Sequence, residues 1–110
     1  MSTNGVLNTD NMSVLGLTID YGPYAFLDHF NPAFISNASD KQGRYRYEAQ
    51  PEICGWNLTK FAEALDPMVP LNGSLDYIKA NYWKVYNEQY NIRMSEKLGL
   101  IDSDMEASQL

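Results

Sequence analysis

The feature that most constrains this chain is the stretch of residues 4–23, where two short apolar runs are bounded by Asp10-Asn11 on one side and Asp20-Tyr21-Gly22 on the other. Asn8, Thr9, Asp10 and Asn11 are turn-prone and poor strand formers. Residues 12–15 and 17–19 are largely apolar and separated by Gly16, so the pattern predicts a loop leading into a short, tight β-hairpin. The ends of such a hairpin lie side by side. That would bring Asp10 and Asn11, before its first strand, close to Asp20, after its second. Two carboxylates and an amide oxygen make a hard, all-oxygen donor set of the kind that holds Mg²⁺ on nucleotide phosphates. Neither Cys nor His occurs in this stretch.

Protein kinases use the same donors: a catalytic-loop Asn and the Asp of an Asp-Phe-Gly segment hold Mg²⁺, while a second Asp handles the acceptor hydroxyl. Kinase-like phosphotransferases carry this loop as His-Gly-Asp-Leu-x-x-x-Asn. Asn4-Gly5-Val6-Leu7-Asn8-Thr9-Asp10-Asn11 overlays it without a gap. The Asn and the Gly-x-Leu frame are kept, but Val6 occupies the position of the catalytic Asp, and a carboxylate stands instead at Asp10. An orthodox kinase is disfavoured on that ground.

Asn8-Thr9-Asp10-Asn11-Met12-Ser13, followed by Leu17-Thr18-Ile19-Asp20-Tyr21-Gly22-Pro23, closely resembles the selenoprotein O family and its bacterial relatives. The resemblance continues through Asn31-Pro32-Ala33-Phe34-Ile35, Gly43-Arg44-Tyr45, Gln50-Pro51-Glu52, Trp56-Asn57-Leu58 and Ala62-Glu63-Ala64-Leu65, and covers roughly residues 5–100. It implies a pseudokinase fold that binds ATP in an inverted orientation and transfers AMP, in place of phosphate, to Ser, Thr or Tyr hydroxyls of proteins. Under the resemblance Asp10 takes the position of the family's proposed base. Asn11 and Asp20 take those of the Mg²⁺ ligands, with Asp20 thereby also a nucleotide-binding residue. It further implies a mitochondrial location in a eukaryote and a cytoplasmic one in a bacterium. The redox-active Cys or selenocysteine motif that ends human-type members does not occur in this sequence.

With 110 residues the chain is one domain's worth at most, whereas a kinase-like fold has two lobes. The Gly-rich loop, strand Lys and helix Glu that clamp phosphates precede the catalytic loop in kinase-like proteins, and here only Met1-Ser2-Thr3-Asn4 precedes Gly5. Asn4 also stands where the family has a His at the end of an apolar strand. The expectation is therefore a fragment, from a partial gene model or truncated transcript. Its expected class is α+β: a protein-kinase-like C-lobe fragment over residues 1–100, with a short β-hairpin at the metal site, a long loop and two or more α-helices. Residues 101–110, with Asp102, Asp104 and Glu106, are expected to form an acidic tail.

Composition narrows the partners. The chain is 45% hydrophobic and 20% charged, with no apolar run of the about 18 residues that a membrane span needs, so no membrane partner is expected. No targeting segment is visible. A net charge of −6 argues against a nucleic-acid footprint, which calls for clustered Lys and Arg. The single Cys54 excludes an internal disulfide and a Cys-rich zinc site; it reads as a small buried hydrophobe, with a reactive thiol as the alternative. His29, the only histidine, suits a surface or capping role.

Residues 24–30, bracketed by Pro23 and Pro32, could form one helical turn or an extended segment. Residues 31–51 read as a long ordered loop, rich in turn formers. Within it Asp40-Lys41-Gln42-Gly43-Arg44-Tyr45-Arg46-Tyr47 reads as a solvated turn entering a short strand, or as a segment whose Arg44 approaches a nucleotide phosphate or docks the loop against the metal site. Helical periodicity begins at Trp56: Leu58, Phe61, Ala62 and Leu65 form one apolar stripe, read as core, and Asp66-Pro67 ends it. Asn72-Gly73-Ser74 supplies a turn and N-cap for a second helix over about residues 75–98, closed by Gly99. Its Tyr82, Trp83 and Tyr86 suit helix packing, with a sugar or base platform as the alternative.

Three functional classes follow. The first is a Mg²⁺-dependent protein adenylyltransferase that uses ATP and protein hydroxyls, inactive as this chain alone. The second is a catalytically silent nucleotide-binding or interaction remnant, whose signature would be exposed apolar surface. The third is an orthodox kinase, which Val6 argues against.

Overall fold

The computed structural model describes residues 2–17 and 20–100. Its class is α+β: two short strands, β1 (Ser2–Asn4) and β2 (Tyr24–Phe26), and two helices, α1 (Gln50–Leu65) and α2 (Leu71–Leu98). Two compact units divide between Leu71 and Asn72.

β1 and β2 pair antiparallel, with Ser2 opposite Phe26, Thr3 opposite Ala25 and Asn4 opposite Tyr24. This is not the tight hairpin expected at residues 12–19. A turn does form there, with the Gly16 N–H donating to the Ser13 carbonyl at 3.0 Å and Gly16 at φ +68°. Residues 12–17 nevertheless form no strand, and Thr18 and Ile19 lie outside the described residues. The reason is that nothing among the described residues covers the apolar run: Val14, Leu15 and Leu17 are 79%, 77% and 66% exposed. A two-stranded ribbon without a packed face is marginal. The pairing forms further out, where Thr3 of β1 is buried and held from α1.

That hold is Gln50, the first residue of α1. Its Nε2 donates to the Asn4 carbonyl at 2.6 Å and the Tyr45 carbonyl at 3.0 Å, and is hydrogen-bonded to Thr3 Oγ1. Just past β1 the chain passes so close to residues 23 and 37 that only Gly5 fits. Its N–H donates to the Pro23 carbonyl at 2.6 Å, and a Cβ there would lie 2.6 Å from that oxygen and 2.7 Å from Asn37 Cβ.

Residues 27–46 contain no helix or strand, yet they are tied at several points. The Tyr47 N–H donates to the Phe34 carbonyl and the Glu48 N–H to that of Pro32, both at 2.9 Å. The Asp40 carboxylate accepts from the backbone N–H groups of Arg44 and Tyr45 at 2.9 and 2.8 Å. In place of the expected short strand, a 3₁₀ turn at Tyr47–Ala49 runs directly into α1.

α1 begins well before Trp56 because Pro51 sits in its first turn, where a missing N–H costs nothing and the fixed φ already suits a helix. α2 likewise starts at Leu71, ahead of Asn72-Gly73-Ser74, because Asp66 Oδ1 accepts from the Leu71 N–H at 3.0 Å and satisfies one orphan donor of the first turn. Taken alone, α2 has no buried residue. Its rings pack along the helix: Tyr82 stacks on Tyr86 and Tyr86 on Tyr90, with centroids 6.4 and 6.1 Å apart. Gly99, at φ +72°, closes it, and the Leu100 N–H returns to the Ser95 carbonyl at 2.8 Å. The acidic tail at 101–110 lies outside the described residues. No helix of the described residues is long and apolar enough to cross a membrane.

Candidate metal-nucleotide site

Residues 4–12 curl through a series of local hydrogen bonds that aim their polar side chains. Asn4 Oδ1 accepts from the Val6 N–H at 2.9 Å. A 3₁₀ turn, Thr9–Asn11, follows, with the Asn11 N–H donating to the Asn8 carbonyl at 3.1 Å. Asn11 Nδ2 donates back to the Val6 carbonyl at 3.0 Å. That bond uses the nitrogen end of the amide and leaves its oxygen end for other company.

From the other side, α1 reaches this turn through Asn57. Its Nδ2 donates to the Leu7 carbonyl at 2.9 Å and lies 2.9 Å from Met12 Sδ. Asp20, exposed, precedes Gly22, whose φ of +50° turns the chain toward β2.

Asp10, Asn11 and Asp20 line one cleft of about 560 Å³, shared with Asn57, Leu58 and Phe61 of α1. All three residues singled out in the sequence are thus among those that line this cleft. Their donors are two carboxylates and one amide whose nitrogen is already engaged, a set that fits Mg²⁺ with its remaining positions left to phosphate oxygens and water. Among the described residues no group of three or more His, Cys, Asp or Glu side chains is placed to hold a metal. His29 is exposed.

Two expectations about this region change. Leu58 and Phe61, read as core, are 37% and 46% exposed and form part of the cleft wall, while Ala62 and Leu65 of the same stripe are buried and half-buried. Arg44 packs on α1 and not against the candidate metal site: its guanidinium carbon lies 4.7 Å from the Trp56 ring centroid and 5.8 Å from that of Tyr45, and among the described residues none of these three lines the cleft. Such cation–π contacts hold a loop on a helix at modest energy. Among the described residues neither Lys nor Arg lines the cleft. Cys54 is half-buried, between the buried hydrophobe and the open thiol, and burial pushes its thiol above its ordinary pKa.

Sequence reasoning missed Gln50 and Asn57, the two amides that tie α1 to the N-terminal stretch. A polar Asn57 between Trp56 and Leu58 was the available signal. Asn57 is only 4% exposed. Among the described residues, Asn57 Oδ1 and Asn8 Oδ1 are buried without a hydrogen-bond partner.

Comparison with known proteins places this chain in a family. The sequence model of the family described as "Protein adenylyltransferase SelO" matches residues 2–110. The chain is 55% identical over 98 residues to the zebrafish (Danio rerio) protein named "Protein adenylyltransferase SelO-1, mitochondrial", covering 89% of the chain and 14% of that relative. It is 50% identical over 103 residues to the human "Protein adenylyltransferase SelO, mitochondrial", covering 94% of the chain and 15% of the relative. With "Protein nucleotidyltransferase YdiU" of Thiobacillus denitrificans it shares 47% over 102 residues, 93% of the chain and 21% of the relative. The chain thus spans about a seventh to a fifth of the length of these curated relatives. On the strength of a match over nearly its whole length, the chain belongs to the SelO family, whose members carry the names protein adenylyltransferase and protein nucleotidyltransferase.

Proposed function

We propose that the cleft is the metal-nucleotide part of a Mg²⁺-dependent protein adenylyltransferase, with ATP as donor and Ser, Thr or Tyr hydroxyls of proteins as acceptors. One observation carries this reading: Asp10, Asn11 and Asp20, far apart in chemistry from the apolar runs between them, line the same cleft. We assign residues 1–100 to part of a kinase-like C-lobe and residues 101–110 to an acidic tail. For location we take a mitochondrial one in a eukaryote, as the names of the zebrafish and human relatives have it, and a cytoplasmic one in a bacterium.

In the reaction the acceptor oxygen bonds to the α-phosphorus of ATP, the bond from that phosphorus to the bridging oxygen breaks, and pyrophosphate leaves. Asp10 takes or orients the hydroxyl proton. Asn11 and Asp20 hold the ion, which would supply charge neutralisation on the phosphates. Among the described residues neither Lys nor Arg lines the cleft to clamp the phosphates with a positive side chain, so turnover by this chain alone is expected to be negligible. AMP transfer to protein by the purified chain, followed with α-labelled ATP, would refute that expectation. Phosphate transfer from γ-labelled ATP would point to a kinase instead.

A second reading, a catalytically silent interaction or nucleotide-binding module, is favoured by the exposed Val14, Leu15 and Leu17, of which Val14 and Leu17 line the cleft itself. It predicts binding of a hydrophobic dye that falls when Val14 and Leu15 are changed to Ser.

A further inference from the structure

We infer that Asn57 is a positioning residue for the turn that carries Asp10 and Asn11, an inference that rests on reading this turn as part of the metal-nucleotide site. Asn57 and Thr3 are the buried polar side chains among the described residues, and Asn57 is 4% exposed. Its Nδ2 crosses 50 positions of sequence to the Leu7 carbonyl and 45 to Met12 Sδ. Those two partners flank the 3₁₀ turn, so one amide grips the turn before Thr9 and after Asn11. The turn has no side-chain cap of its own, since Asn8 at its N-cap makes no capping bond.

The arrangement is costly. Asn57 Oδ1 and Asn8 Oδ1 are both buried without a hydrogen-bond partner among the described residues. A buried amide with one end unsatisfied loses hydration that an apolar side chain of the same shape would not lose. A leucine would fill the space between Leu7, Met12 and α1 without that penalty. What it could not do is direct a hydrogen bond at the Leu7 carbonyl. The amide is therefore explained by the geometry that it imposes on Asp10 and Asn11, in the way that a bound group is oriented by the residues behind it.

The test is NMR spectroscopy of the 110-residue chain and its Asn57→Leu and Asn57→Asp variants, first free and then with Mg²⁺–ATP. In the wild type the Asn57 side-chain amide protons should exchange slowly, and the backbone N–H groups of residues 8–12 should be as rigid as those of α1. Both variants should keep the helical shifts of α1 while residues 8–12 become as mobile as an unrestrained loop, and Mg²⁺–ATP affinity should fall at least tenfold. Equal order of residues 8–12 in wild type and in a folded variant would overturn the proposal. So would rapid exchange of the Asn57 amide in the wild type, a measurement that needs no variant to fold. If the turn depends on Asn57 but the wild type does not bind Mg²⁺–ATP, the clamp stands and the nucleotide reading alone fails.

Discussion

In residues 2–71 the contacts that shape the backbone join positions far apart in the chain: Gln50 to Asn4, Asn57 to Leu7, and Asn37 Nδ2 to the Gly5 carbonyl at 3.2 Å. In α2 they join neighbours one turn apart, Tyr82 with Tyr86 and Tyr86 with Tyr90. The first region has little apolar interior to rely on, since Ala49 and Ala62 are the buried hydrophobic residues among those described. Side-chain amides take over part of the work of a core there, by bonding backbone groups that no strand or helix satisfies. The second region is a helix specified by its own periodicity. The comparison teaches where a site can be built: the cleft residues come from the region whose geometry depends on distant partners, so its integrity and its chemistry should fail together.

The change with the largest expected effect is Gly5→Ala. The added Cβ meets the Pro23 carbonyl oxygen and Asn37 Cβ, both well inside contact distance, and a backbone oxygen has little freedom to move aside. A loss of about 3 kcal/mol is expected from overpacking of this kind, seen in urea denaturation as early loss of the residue 2–71 signals in NMR while the helical signals of α2 persist. Simultaneous loss of both would break the comparison by showing that one cooperative unit spans them.

Gln50→Leu comes next. It removes the donor shared by Asn4, Thr3 and Tyr45 and leaves partly buried acceptors unpaired, at a cost of about 1 kcal/mol. The β1–β2 pairing should weaken, with faster hydrogen exchange at Gly5 and Tyr24 than in the wild type.

Gly73→Ala should act in the opposite direction and only locally. Gly73 lies inside α2 with open space around its Cα, so alanine should stabilise the helix by up to about 1 kcal/mol. Far-UV circular dichroism should show the gain, and Mg²⁺–ATP binding should not change; an altered affinity would show that α2 and the cleft are coupled.

The smallest effect concerns Cys54. Burial raises its pKa, so the protonated thiol is favoured by the folded state. That contribution is fully present below the ordinary thiol pKa and is lost as pH rises through the raised folded value. Alkylation by iodoacetamide near neutral pH should therefore be slower than for an unfolded control, and Cys54→Ala should flatten the alkaline decline in stability. Alkylation as fast as the control would show an open, reactive thiol instead.

How legible this was depended on how local each determinant is. The ends of both helices could be read, because Asp66-Pro67 and Gly99 act within a turn. Their beginnings could not. Pro51 looked like the close of a loop when it opens α1, and the donor that starts α2 is satisfied by Asp66, which had been read only as the end of α1. β1 was invisible because Ser2-Thr3-Asn4 shows no apolar alternation; its pairing comes from β2 and Gln50. The meeting of Asp10, Asn11 and Asp20 at one cleft could be anticipated from their placement at the two ends of an apolar stretch. The means differed, with the outer β1–β2 pair in place of an inner hairpin. Leu58 and Phe61 fell on the helical stripe but face the cleft, since periodicity says which positions share a face and not what lies opposite.

The most direct test of the central claim is a calorimetric titration of the chain with Mg²⁺–ATP beside its Asp20→Ala variant. Asp20 is exposed and lines the cleft, so its removal should leave the fold in place. Saturable, Mg²⁺-dependent binding by the wild type that is lost in the variant is the predicted result. Absence of binding in both, or equal binding in both, would contradict the assignment of this cleft as a metal-nucleotide site.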